Sequence, residues 1–169
     1  MRRLVPFLLG AILSTGSYAA SKPKTVQVDD ERNGYHARLL VTTRAFDKAQ
    51  HKIHVIPNGD GACTIDGKEP FGADSLFLPD IEITSMTLLL NGERIAIPRE
   101  LYSDCYRPNL DPEYFSMRIN HKGTGVFVFM QAGDGAITYE AVWFLSADGS
   151  HHRYVGWTAS GGVLGCPLQ

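Results

Sequence analysis

Long apolar runs and a strong net charge are both missing from most of this chain. Beyond its first residues, the 169-residue sequence has no apolar run approaching the ~20 residues that a membrane-spanning helix requires. Its formal net charge is −2, and its cations are scattered singly, so no basic field is available to neutralise phosphates. We therefore expect no nucleic-acid partner and no stable membrane insertion.

Recognisable catalytic motifs are also missing. The nucleophile-elbow pattern Gly-x-Ser-x-Gly does not occur, and neither Ser103 nor Ser160 has a partnered histidine and aspartate at a familiar spacing. No glycine-rich loop runs from a strand into a helix, which disfavours phosphate binding. We expect no catalytic residue and no cofactor, although a hydrolytic site assembled from distant loops stays an open alternative.

Metal-binding spacings are weak as well. His51-x-x-His54 and the pair His151-His152 fall in strand-like segments, where residues three apart or adjacent point to opposite faces. The two imidazoles of the first pair could still face one metal ion if His51 lay in the turn before the strand. The acidic glycine turns, such as Gly133-Asp134-Gly135, lack the alternating oxygen ligands of a calcium loop. We therefore expect no metal site.

The first nineteen residues are typical of a cleavable export signal. Arg2 and Arg3 precede an apolar run from Leu4 to Leu13, and Ser17-x-Ala19 offers small residues to signal peptidase. The arginine pair could alternatively belong to a twin-arginine signal. The sequence predicts a signal peptide over 1–19, a single domain over 20–169, and a periplasmic or secreted location.

Three cysteines then enter an oxidising compartment, where two of them can pair and one must be left over. All three pairings are possible from the sequence. Cys105 lies between aromatic residues and can pack as a small apolar side chain, whereas Cys63 and Cys166 flank glycine-rich segments. This favours a Cys63–Cys166 disulfide.

Strict alternation of apolar and polar residues dominates after residue 25 and predicts strands with little helix. Residues 35–43 alternate clearly, and Asn91-Gly92 predicts a two-residue type I′ hairpin that pairs Leu88 with Ile95 and Met86 with Ile97. A change of parity predicts a bulge near Thr84. About eight strands favour an antiparallel β-sandwich, with an open β-barrel as the alternative.

The later strands carry the predicted binding residues. Val126–Met130 is apolar on both parities, which predicts a central strand covered on both sides. Asp148-Gly149 predicts a second two-residue hairpin, with Trp143 opposite Tyr154 and Phe144 opposite Arg153. An aromatic and polar patch is thereby predicted as a ligand-binding surface, consisting of Tyr139, Glu140, Phe144, Arg153 and Trp157.

The two hairpin segments, 88–98 and 133–149, resemble parts of uncharacterised exported bacterial proteins. The resemblance implies a bacterial, exported β-protein and no particular activity. Together with the missing motifs, it favours a non-enzymatic protein that binds another protein, as an inhibitor or an envelope accessory factor. The alternative is a β-sandwich module that binds a carbohydrate or another small ligand through its aromatic residues.

Overall fold

Antiparallel strands account for nearly all the regular structure in the described part of the protein. The computed structural model describes residues 22–56, 59–73 and 76–158. The predicted signal peptide and Cys166 lie outside these ranges. Within them, the strands form two four-stranded sheets and one two-stranded ribbon, and neither large sheet closes on itself. The predicted β-sandwich is confirmed.

The first sheet has the strand order β1-β2-β5-β6. Its strands are β1 (Lys24–Arg32), β2 (Tyr35–Ala45), β5 (Ile81–Leu90) and β6 (Glu93–Ile95). The ribbon between them in the chain pairs β3 (Ile53–Val55) with β4 (Ala62–Ile65). The second sheet has the order β10-β9-β8-β7 and consists of β7 (Phe115–Ile119), β8 (Gly125–Ala132), β9 (Tyr139–Ser146) and β10 (His151–Trp157).

Short 3₁₀ turns are the only helical elements in the described part of the chain. They span Lys48–Gln50, Arg99–Leu101, Pro112–Tyr114 and Gly135–Ile137. None of them is long and apolar enough to cross a membrane.

The main core lies between the two large sheets, where alternate residues of each strand face inward. Leu39 and Val41 on β2 and Val128 and Trp143 on the second sheet are completely buried. The sheets meet along β1 and β7. There the N–H of Ile119 donates to Asp30 Oδ2 at 3.1 Å, and Arg32 Nη1 donates to the carbonyl of Ile119 at 3.3 Å.

The first hairpin forms as its turn chemistry predicts. Asn91 and Gly92 both have positive φ angles, 53° and 85°, and Leu88 pairs with Ile95. The ladder contains only three pairs and ends at Ile95, so the predicted pairing of Ile97 is wrong. Pro98 comes directly after Ile97, and proline cannot donate to a ladder.

The bulge is also confirmed. The pairing of β2 with β5 shifts between Thr42 and Thr43, which leaves Thr84 without a partner residue opposite it. Its Oγ1 instead donates to the carbonyl of Thr42 at 3.0 Å. Ile83 and Met86 are three residues apart and would face opposite sides of a regular strand. Because the bulge adds one residue between them, both point into the core.

The prediction that both faces of β8 are covered is wrong. Val126, Val128 and Met130 face the core, but Phe127 and Phe129 are each 39% exposed on the opposite face. A two-layered sandwich covers only one side of each sheet, and no layer within the described ranges lies over this outer side.

The predicted register of the second hairpin is wrong by one residue. The N–H of Ser146 donates to the carbonyl of Ser150, so the loop has three residues, Ala147–Gly149, with Gly149 at φ 86°. This is the hairpin geometry in which a left-handed glycine closes a type I turn. Arg153 consequently pairs with Trp143 and faces inward, whereas Tyr154 faces outward.

Candidate functional site

The predicted ligand-binding residues are divided between the two faces of the second sheet. Tyr139, Arg153 and Trp157 belong to the inner side of the second sheet, while Glu140 and Phe144 belong to its outer side. Tyr139 is completely buried, and its hydroxyl donates to the carbonyl of Tyr106 at 2.8 Å. The five residues therefore do not form one surface, because the register turns Arg153 and Trp157 inward and because Tyr139 and Glu140 are neighbours on β9 with opposite directions. The predicted grouping is wrong, and the ligand-binding role of these residues stays a prediction.

Arg153 instead belongs to a cluster beneath the second sheet. Its Nη2 lies 2.8 Å from Asp104 Oδ1 and 3.7 Å from Cys105 Sγ. Cys105 is a buried free cysteine. Burial, with a smaller contribution from the adjacent Asp104 carboxylate, raises the pKa of its thiol to about 12. Since the thiolate is the nucleophile, Cys105 is suited to packing and not to catalysis.

A second buried cluster centres on His51, in the turn before β3. Its Nδ1 lies 2.8 Å from Asp66 Oδ2, its Nε2 lies 3.1 Å from Glu82 Oε2, and its side chain is only 3% exposed. The ring stacks on Phe46 with 4.7 Å between centroids. Arg44 Nε donates to the other Glu82 oxygen at 2.7 Å.

The His51 cluster fixes the β3–β4 ribbon to the first sheet. Asp66 lies in the tight turn after β4 and accepts from the N–H of Lys52 as well as contacting His51. Burial alone would raise the pKa of Asp66, but the hydrogen bonds from His51 and Lys52 outweigh it and lower that pKa. Each ring nitrogen already faces a carboxylate, so the imidazole presents no free nitrogen to a substrate.

His54, the other histidine of the predicted pair, is exposed on β3 and does not join His51. Asp66 and Glu82 contact opposite nitrogens of His51, and within the described ranges no group of three or more histidine, cysteine or acidic side chains is arranged to hold a metal ion.

The outer side of the second sheet carries a continuous exposed surface, here called the aromatic face. It consists of Phe127, Phe129, Val142, Phe144, His152 and Tyr154. Phe127 pairs with Phe144 across the strands, with 4.8 Å between ring centroids, and lies 6.5 Å from Phe129. Tyr154 at the β10 edge is 66% exposed.

Local packing holds these rings in place. His152 stacks on Phe144 with 6.4 Å between centroids and 20° between planes. Phe144 also lies over Gly125, where an added Cβ would come within 2.8 Å of the ring. Rings fixed by their neighbours lose little conformational entropy when a partner covers them.

A cavity of about 260 Å³ opens beside the aromatic face. Its accessible side chains come from four elements: the 3₁₀ turn before β7, β7 itself, β8 and β9. They are Glu113, Tyr114, Ser116, Phe129, Gln131 and Glu140. The aromatic face and this cavity together form the candidate functional site.

Only Phe144 and Glu140 of this site are among the predicted binding residues. One sequence signal could have identified the rest of the face. On one side of β8 the alternate residues are Phe127, Phe129 and Gln131, whereas the alternate residues on the other side are all apolar and non-aromatic. A polar residue at the end of the aromatic parity indicates the solvent side.

Comparison with models of protein families, with curated protein sequences and with solved structures finds no match to this chain.

Proposed function

We propose that this is an exported, non-enzymatic protein that binds another protein through its aromatic face. The observation that carries the proposal is the exposure of Phe127 and Phe129 on an interior strand of the sheet, with Phe144 beside them and Tyr154 at the β10 edge. Contiguous exposed aromatic surface is costly in water and is enriched at protein interfaces. A partner that covers these rings would recover that free energy.

The composition of the face favours a protein over a carbohydrate. Its centre is made by three phenylalanine rings that offer no hydrogen-bonding group, and these rings are inclined to one another by 25° to 43°. A sugar needs polar groups around a stacking ring, whereas an apolar protein surface can interlock with inclined rings. Acidic side chains border the cavity end of the face at Glu113 and Glu140, while Arg118 lies opposite Phe127, so the complementary partner surface is apolar with a basic residue at the cavity end.

Site-specific photo-crosslinking tests this proposal. A photoreactive phenylalanine analogue replaces Phe127 in one variant and Leu40, on the outer side of the first sheet, in a matched control. We expect one protein to be crosslinked at position 127 and not at position 40. That protein, once purified, should bind the unmodified chain in a defined stoichiometry and lose binding to Phe127→Ser.

Equal crosslinking at both positions, or none at position 127, would contradict the proposal. Binding of glycans that is lost in Phe127→Ser would replace it with the carbohydrate-binding alternative. Crosslinking only between two copies of this chain would show self-association instead. Circular dichroism of Phe127→Ser verifies that the variant folds.

A further inference from the structure

The cavity beside Phe129 combines negative charge with an aromatic wall. Glu113 and Glu140 reach it from different elements, one from the 3₁₀ turn before β7 and the other from β9. The ring of Phe129 and the side chain of Tyr114 line the same space. Ser116 and Gln131 add uncharged hydrogen-bonding groups.

These carboxylates are not neutralised by the described part of the protein. Neither the Glu113 nor the Glu140 side chain forms an ion pair or a hydrogen bond there. Arg118 is the basic residue on the outer side of β7, but it pairs opposite Phe127 and does not line the cavity. The site is therefore complementary to a cation from outside.

We infer that this cavity receives an arginine side chain of the partner protein, an inference that rests on the proposed function. A guanidinium group is planar and weakly hydrated, so it can stack on the Phe129 ring while its N–H groups donate to the two carboxylates. The apolar stem of the arginine then continues onto the aromatic face. A metal ion would leave the aromatic wall without a role.

A small-molecule probe can test the site without the partner. Nα-acetyl-arginine amide is titrated into the ¹⁵N-labelled protein, and chemical shifts of the backbone amides of Gln131 and Val142 are followed. Nα-acetyl-citrulline amide has nearly the same shape without the charge and serves as the control ligand. We expect saturable shifts with arginine amide and none with citrulline amide.

Variants assign the effect to the carboxylates. We expect Glu113→Gln and Glu140→Gln each to weaken binding of the arginine amide about threefold, as is usual for exposed ion pairs, and the double variant to weaken it about tenfold. Glu93→Gln, an exposed glutamate on the other sheet, should leave it unchanged. Equal shifts with citrulline amide, or full binding by the double variant, would overturn the inference.

Different variants test the binding of a partner by the aromatic face and the binding of arginine in the cavity. Phe127 does not line the cavity, so Phe127→Ser should lose the partner protein but keep the arginine-amide shifts. Partner binding that survives in Glu113→Gln/Glu140→Gln would overturn the arginine contact and leave the proposed function standing. Loss of partner binding in that double variant supports both.

Discussion

At the residue scale, the His51 cluster shows how three side chains from distant positions come together around one buried imidazole. Glu82 comes from β5, Asp66 from the turn after β4, and His51 from the turn before β3. Periodicity places these residues near strands but does not bring them together. Their contact depends on how the β3–β4 ribbon lies on the first sheet, which no local pattern in the sequence encodes.

We expect Glu82→Gln to lower the free energy of unfolding by about 2 kcal/mol, because it removes a buried carboxylate that bonds both Arg44 and His51. Glu82 is 3% exposed and bonds both Arg44 and His51. Urea denaturation of the variant and of the exposed control Glu93→Gln measures the difference. The expectation fails if the two variants are equally stable.

Asp66 should contribute a pH-dependent part of the stability. Its pKa is lower in the folded protein than the ordinary value of 3.8, so its contribution is present above that value and is lost as the pH falls through the folded pKa. Asp66→Asn preserves the turn, because asparagine also tolerates the positive φ of 54°.

We therefore expect the stability difference between the protein and Asp66→Asn to shrink on acidification below about pH 4. Urea midpoints measured from neutral to acidic pH give this difference directly. A difference that stays constant over that range would show that the Asp66 carboxylate is not the titrating group.

At the element scale, the strands and the first hairpin could be predicted, but the second hairpin register could not. Alternation identifies which residues of β2, β5 and β7 face the core, and Asn91-Gly92 sets both turn type and pairing. Asp148-Gly149 fits either a two-residue or a three-residue loop, and the residues before the turn are apolar on both parities. The sequence pattern therefore could not choose between the two registers.

The three-residue loop makes a specific demand at Gly149. Its φ of 86° is accessible to glycine but strained for alanine, although a Cβ added there would meet no atom within 4 Å. We expect Gly149→Ala to cost about 1 kcal/mol or more, purely through the backbone, and Gly149→Asn to cost less. Thermal or urea denaturation distinguishes them, and equal losses would contradict the assigned loop.

At the scale of the whole molecule, the proposed disulfide remains a prediction. Cys63 is buried on β4, Cys105 is buried and free, and Cys166 lies outside the described residues. We expect peptide mapping of the oxidised protein to recover Cys63 linked to Cys166. Iodoacetamide should label Cys105 only after unfolding, since burial holds its pKa at about 12. Rapid labelling of the native protein would contradict this assignment.

The candidate site could be predicted only in part, because the exposure of its residues depends on the whole fold. The sequence indicates that aromatic residues on the later strands are exposed, and Phe144 and Glu140 are indeed on the outer side. The exposure of Phe127 and Phe129 depends on which layers the complete fold provides. Glu113 joins them only because the 3₁₀ turn before β7 lies beside the sheet.

The contact between β1 and β7 differs in kind from the pairing inside either sheet. Two side chains, Asp30 and Arg32, hold the main chain of Ile119 where a neighbouring strand would otherwise bond. The hydrogen bonds between the two sheets at this edge therefore depend on side chains, whereas the hydrogen bonds within each sheet join backbone groups. Substitution of Asp30 and Arg32 would therefore change the position of one sheet relative to the other and leave the strand pairing within each sheet intact.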